Sequence, residues 1–244
     1  MKISDTKYTI IRANTRGGAD HGWLKANHSF SFANYYDPER IHFGALRVLN
    51  DDWVAPSEGF GKHPHDNMEI ITIPLKGELS HSDSMGNSSV ITAGEIQVMS
   101  AGSGVFHSEM NNNKEVAAEI LQIWIFPDKK SVEPRYDQRK LDNSKMKNSL
   151  LNIIKPFEDD SQEGISIYQQ SWFYLSELEK ERSIEYKTKQ EGNGIYLFVI
   201  EGDITILDNK LSRRDAIAIT DSPSLEIIAQ QDSKFLIIDV PMKW

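Results

Sequence analysis

The stretch Asn193-Gly-Ile-Tyr-Leu-Phe-Val-Ile-Glu-Gly202-Asp-Ile-Thr-Ile206 repeats the shape of Met68-Glu-Ile-Ile-Thr-Ile-Pro-Leu-Lys-Gly77-Glu-Leu79. Each has an apolar run rich in β-branched and aromatic residues, a glycine that permits a tight turn, and a second run. That is the pattern of two buried strands rather than of a helix. Asp215-Ala-Ile-Ala-Ile219 likewise echoes Gly94-Glu-Ile-Gln-Val98. A β unit duplicated within the chain accounts for both echoes and predicts an all-β protein of two barrel lobes.

The same grammar extends outward from these segments. Strands are expected over 42–49, 68–75, 89–91, 95–99 and 117–126. In the last of these Leu121, Ile123 and Ile125 alternate with Gln122, Trp124 and Phe126, the two-residue period of a strand with distinct faces. Between Pro127 and Pro156 the composition shifts to Lys, Asp, Asn and Ser, as in a connector. The expected organisation is an N-terminal domain over 1–130, a linker over 131–156 and a C-terminal domain over 157–244. Short helices are expected over 145–154 and 175–182.

Composition narrows the chemistry. The 244 residues are 39% hydrophobic and 26% charged, which suits a folded globular chain. Cysteine is absent, so thiolate nucleophiles, disulfides and Cys-based metal sites are excluded and any ion must sit on His and carboxylate. The N-terminal stretch 1–14 lacks the apolar core of a leader, and no segment approaches a membrane span, so a cytoplasmic protein is expected. A formal charge of −9 disfavours nucleic acid and anionic membranes. Lys129, Lys130, Arg135, Arg139 and Lys140 are interleaved with acids and prolines and read as a solvated stretch rather than a nucleic-acid arm.

All seven histidines lie at or before position 107. In His63-Pro64-His65 the i, i+2 spacing turns both imidazoles to one face of an extended strand, and His107-Ser108-Glu109 repeats that spacing 42 residues beyond His65. Two such pairs on facing strands would supply three nitrogens and one carboxylate to a divalent transition metal, with room for exchangeable positions. One His-x-His pair alone is read equally well as structural. Two pairs among glycines favour a metal site.

The segments Phe60-Gly-Lys-His63-Pro-His65-Asp-Asn-Met-Glu69, with Gly77, and Gly94-Glu-Ile-Gln-Val-Met-Ser-Ala-Gly-Ser-Gly-Val-Phe-His107-Ser-Glu109 resemble the two cupin motifs in their pirin form. His21-Gly-Trp23, the stretch from His28 to Pro38 and Pro134-Arg-Tyr136-Asp-Gln138 add to the likeness, which is strong over the first 140 residues and weak beyond. The resemblance implies a bicupin of jelly-roll lobes with one divalent ion on His63, His65, His107 and Glu109, iron first and nickel, copper, manganese or zinc as alternatives. It implies a dioxygenase that opens a flavonol such as quercetin with dioxygen and releases carbon monoxide; the site itself offers Glu109 as the candidate base, and a monomer is expected because two barrels can bury each other's inner faces. A regulatory protein that binds a transcription factor or metabolic enzyme, with the metal as sensor, is the alternative; a cupin enzyme with another substrate is a third reading. Glu69 is then a supporting or structural residue. Lys187-Thr-Lys189 stands where the second lobe would carry a His-x-His pair, and protonated lysines are poor ligands, so that lobe is expected to be metal-free.

The remaining candidates are read conservatively. His28 is expected to be a hydrogen-bonded structural residue, and His42 and His81 to lie on the surface or on strand faces. Phe43, Phe60 and Phe106 are expected in the core rather than around a ligand.

Overall fold

The structure, a computed structural model, describes residues 6–244; the first five residues of the N-terminal stretch considered above lie outside it. It is built almost wholly of strands, and no described helix is long and apolar enough to cross a membrane. In one lobe a seven-stranded sheet runs Arg135–Lys140, Glu95–Ser100, Glu69–Lys76, Ala118–Ile125, Leu46–Val54, Leu24–His28, Gly17–Asp20. A four-stranded sheet, Gly59–His65, Val105–Met110, Glu78–Asp83, Ser88–Thr92, faces it. The other lobe repeats the plan. Ala216–Thr220, Asn193–Glu201 and Ser233–Pro241 lie side by side there as Glu95–Ser100, Glu69–Lys76 and Ala118–Ile125 do in the first. Each lobe is a pair of facing sheets, the jelly-roll arrangement, rather than a ring of continuously paired strands.

The duplication read from the sequence is a duplication of turn and register. Gly77 and Gly202 each join a long strand to a short one, with φ of +72° and +87°. At Gly202 an added Cβ would stand 2.5 Å from a backbone oxygen, so both conformation and space require glycine.

Strand parity then distributes the side chains. Leu121 and Ile123 point from Ala118–Ile125 towards the second lobe, where they meet Tyr196, Phe198, Leu236 and Ile238 in one continuous apolar core. Ala118 and Ile120, from the other face, point into the first lobe. The two long sheets are therefore buried on both faces, which explains their nearly unbroken apolar runs. Within the second lobe Ile195, Leu197, Phe235, Ile227 and their neighbours fill the space between the sheets with hydrocarbon. The first lobe holds only two small apolar clusters, and polar side chains occupy the rest.

Several local expectations are corrected. Residues 145–154 form no helix; a 3-10 turn over Asn143–Lys145 leads to the strand Leu151–Pro156. The helix expected over 175–182 is the strand Trp172–Leu178 and the turn after it. Its Phe173 and Leu175 face the shared core while Tyr174 and Leu178 face the second lobe, a two-residue alternation that outweighs helix propensity. The polar stretch 127–156 contributes Arg135–Lys140, an edge strand on Glu95–Ser100, where charged side chains suit an exposed sheet edge.

At the opposite end, Lys7–Ile11 pairs with Ala216–Thr220 in the second lobe before the chain enters the first through Gly17–Asp20. Ion pairs fasten this crossing. Arg16 Nη2 and Arg214 Nε each stand 3.3 Å from Asp51 Oδ2, and Arg12 Nη1 donates to Asp215 Oδ2 at 2.7 Å.

Because the lobes share one core, removing a ring from it should weaken both. Phe198→Ala is expected to lower the unfolding free energy by about 3–5 kcal/mol, measured by urea denaturation with probes in each lobe. Loss confined to one lobe would contradict a shared core.

Candidate metal centre

The strand Gly59–His65 lies antiparallel to Val105–Met110 with His63 opposite His107 and His65 opposite Val105. Extended backbone turns His63, His65 and His107 into the interior of the first lobe. The three rings close on one another, with centroids 4.8 Å apart for His63 and His65, 4.4 Å for His63 and His107, and 4.9 Å for His65 and His107. One ring nitrogen from each falls within 4.8 Å of the others. Beyond His107 the register with Gly59–His65 shifts at a bulge, while on the other flank Glu109 stands opposite His81 of Glu78–Asp83. His81, His107 and Glu109 form a second triad of donor atoms within 4.8 Å, sharing His107 with the first.

The electrostatics favour neutral imidazoles. Burial, followed by the fields of His63, His65 and His81, holds His107 down to about 3; burial and His63 hold His65 down to about 4. Uncharged rings are the ligand form of histidine. His63 Nδ1 lies 2.7 Å from the Gly61 carbonyl, which can only accept, so the proton sits on Nδ1 and Nε2 is left bare.

His107 is 1% exposed, and neither of its ring nitrogens has a hydrogen-bond partner. Leaving such a group unsatisfied in the interior costs about 1–3 kcal/mol, and a coordinated cation would remove that cost. Burial pushes Glu109, 2% exposed, above the ordinary carboxylate range, so its ionised form requires positive charge beside it. Gln122 Nε2 donates to one oxygen of Glu109 at 3.0 Å, while the Thr72 hydroxyl donates to Gln122 Oε1 at 2.9 Å and stands 3.4 Å from the other carboxylate oxygen. Each triad offers three donors suited to a first-row divalent ion, three imidazoles in the outer one and two imidazoles with the Glu109 carboxylate in the inner one, and His107 belongs to both.

Comparison with known proteins gives the family. Residues 10–125 match the family model described as Pirin, and residues 157–240 match the one described as Quercetinase C-terminal cupin domain. A protein of Escherichia coli (strain K12) named quercetin 2,3-dioxygenase is 41% identical over 233 residues, 95% of this chain and 98% of its own. The crystal structure of YhhW from Escherichia coli superposes with a TM-score of 0.91 at 40% identity, covering 96% of this chain and 98% of that one. The structure of bacterial pirin YhhW in complex with nickel(II), from the same organism, gives 0.90 at 38% identity, covering 96% and 99%. The chain belongs to the pirin family. Its two lobes are cupin domains, as the resemblance in the sequence implied.

Within this pirin the structure settles the other candidates individually. Glu69 lies on the face of Glu69–Lys76 opposite Thr72, away from the imidazoles. Ser100 Oγ donates to it at 2.7 Å, and burial raises it to about 7. His28 is buried and hydrogen-bonds Asn50 Oδ1 at 2.9 Å, and His42 bonds the Gly44 carbonyl. Phe43 packs against the shared core and Phe60 against Trp23, whereas Phe106 is 49% exposed.

His81 departs from its reading as a surface or strand-face residue: it is 2% exposed and belongs to the centre. Its signal was present in His81-Ser82-Asp83, a third i, i+2 pair facing the same interior. Trp124 lies edge-on to His65 at 4.9 Å, and Met68, Ile70, Met99 and Val105 form the apolar wall beside it.

The raised carboxyl of Glu69 has a consequence for stability. A carboxyl whose folded value exceeds its unfolded one contributes stability that is intact below about 4.5 and is lost as pH rises through about 7. The stability difference between wild type and Glu69→Gln should therefore drift against wild type across that window. Parallel pH profiles in urea melts would contradict it.

Proposed function

We propose that this pirin is a metal-dependent dioxygenase that opens a flavonol such as quercetin with dioxygen and expels carbon monoxide. The observation that carries the reading is the buried, partnerless imidazole of His107 beside His63, His65 and Glu109. The names of the Escherichia coli relatives support the same chemistry and a nickel-compatible centre. In this reading His63, His65, His107 and Glu109 hold the ion within the N-terminal domain, 1–130, iron first and nickel, copper, manganese or zinc as alternatives, and the C-terminal domain, 157–244, serves as scaffold.

When bound, the ion supplies Lewis acidity towards the flavonol hydroxyl and the carbonyl next to it. The chain's own residues supply the rest. Glu109 accepts the hydroxyl proton on a carboxylate oxygen, and its raised affinity for protons suits it to that task. Gln122 and Thr72 keep the carboxylate oriented through that transfer. The half-buried His63 and His65 leave the substrate an approach from their side, while Trp124, Met99 and Val105 keep water from the interior. Dioxygen adds to the electron-rich ring; both oxygen atoms remain in the ring-opened ester, and one ring carbon leaves as carbon monoxide. The site takes one small molecule and dioxygen, and a cytoplasmic monomer meets that need.

His107→Ala should abolish both metal content by elemental analysis and carbon monoxide release from quercetin under air. Gln122→Leu should keep the metal and lower kcat by about tenfold to a hundredfold, as loss of a ligand-supporting hydrogen bond does. Unchanged metal content in His107→Ala, or full turnover by chelated protein, would overturn the assignment.

A further inference from the structure

The first lobe carries a buried histidine and a buried carboxylate that the proposed ligand set does not use. His81 sits on Glu78–Asp83 directly opposite Glu109, and its ring centroid is 5.3 Å from that of His107. Asp83 accepts from His81 Nε2 at 3.0 Å, and its side chain is fully buried. That carboxylate is itself fixed by the backbone N–H groups of Met85 and Asn87, at 2.9 and 3.0 Å, and by Asn87 Nδ2 at 2.9 Å. An acceptor held so firmly places a proton on His81 Nε2, so that in the neutral ring Nδ1 carries the lone pair. This carboxylate–imidazole pairing is how proteins orient metal-ligating histidines.

Among the described residues the hydrogen-bond partner of Nδ1 is the Gln97 amide nitrogen, at 3.3 Å, and the Gln97 oxygen has no partner of its own. Tyr136 stacks on the His81 ring, with centroids 4.8 Å apart.

We propose that the lobe offers a divalent cation a second, deeper position on His81, His107 and Glu109, sharing His107 and Glu109 with the outer position. The proposal rests on the reading that this lobe holds a cation and extends it. The two positions share His107, and the inner one has the buried His81 where the outer one has the half-exposed His63 and His65. The inner triad is wholly buried, so the ion there is shielded from solvent and from chelators, whereas the outer position faces the substrate's approach.

The test uses Co(II) alone on the full chain. His63 and His65 are half-exposed, so the double substitution His63→Ala, His65→Ala leaves the core intact, which a circular dichroism melt verifies. That variant is expected to retain one Co(II) per chain by equilibrium dialysis, bound about tenfold to a hundredfold more weakly than by wild type. Its paramagnetic proton spectrum should show two shifted imidazole N–H signals, from His81 and His107. Adding His81→Ala should eliminate both the binding and the signals. No Co(II) in the double variant while wild type loads normally overturns the inner position and leaves the outer one standing. Equal retention by the triple variant also overturns it. Failure of wild type itself to bind Co(II) defeats the metal reading from which the proposal starts.

Discussion

A buried imidazole with two unpartnered nitrogens, that of His107, is the constraint around which the first lobe is organised. Desolvation keeps the ring neutral, and a neutral ring with nothing to bond is destabilising unless a cation completes it. Two strands bring the means. Gly59–His65 supplies His63 and His65 on one flank, and Glu78–Asp83 supplies His81 on the other, with Glu109 two residues further along the central strand. The Gly61 carbonyl and Asp83 each hold a proton on one nitrogen of a neighbouring histidine, His63 and His81, and so fix the tautomer of the neutral ring.

The two cupin domains share a plan and divide the labour by what fills them. In the second, the interior is closed by aliphatic and aromatic side chains such as Leu197, Phe235 and Ile227. In the first, Thr72, Gln97, Gln122 and the histidines replace that hydrocarbon, and a polar interior of this kind is stable only when its members satisfy one another. The shared core supplies the compensating burial. Tyr196 and Phe198 from one lobe and Leu121 and Ile123 from the other lie at zero exposure between the long sheets.

Much of this was legible before the structure. The alternation in 117–126 and the glycine turns at Gly77 and Gly202 announced β structure and its duplication, because a two-residue period and a left-handed backbone are local properties. The histidine pairs were legible for the same reason. What could not be read was long-range. Arg135–Lys140 has the composition of a connector because an edge strand and a connector are both solvated, and only its pairing with Glu95–Ser100 distinguishes them. Trp172–Leu178 carries Leu175 and Leu178 at a helical spacing, yet two cores on opposite faces impose the strand. The spacing of His81 and Asp83 was legible, but the burial of His81 depends on Gln97 and Tyr136, which reach it from two other strands.

The central claim is that these side chains meet around one ion, and X-ray absorption at the metal edge of protein purified without added metal tests it most directly. The account predicts first-row metal at one per chain, with imidazole scattering from at least three histidines and metal–nitrogen distances of about 2.0–2.2 Å. A spectrum showing only water or oxygen neighbours, without imidazole scattering, would contradict it.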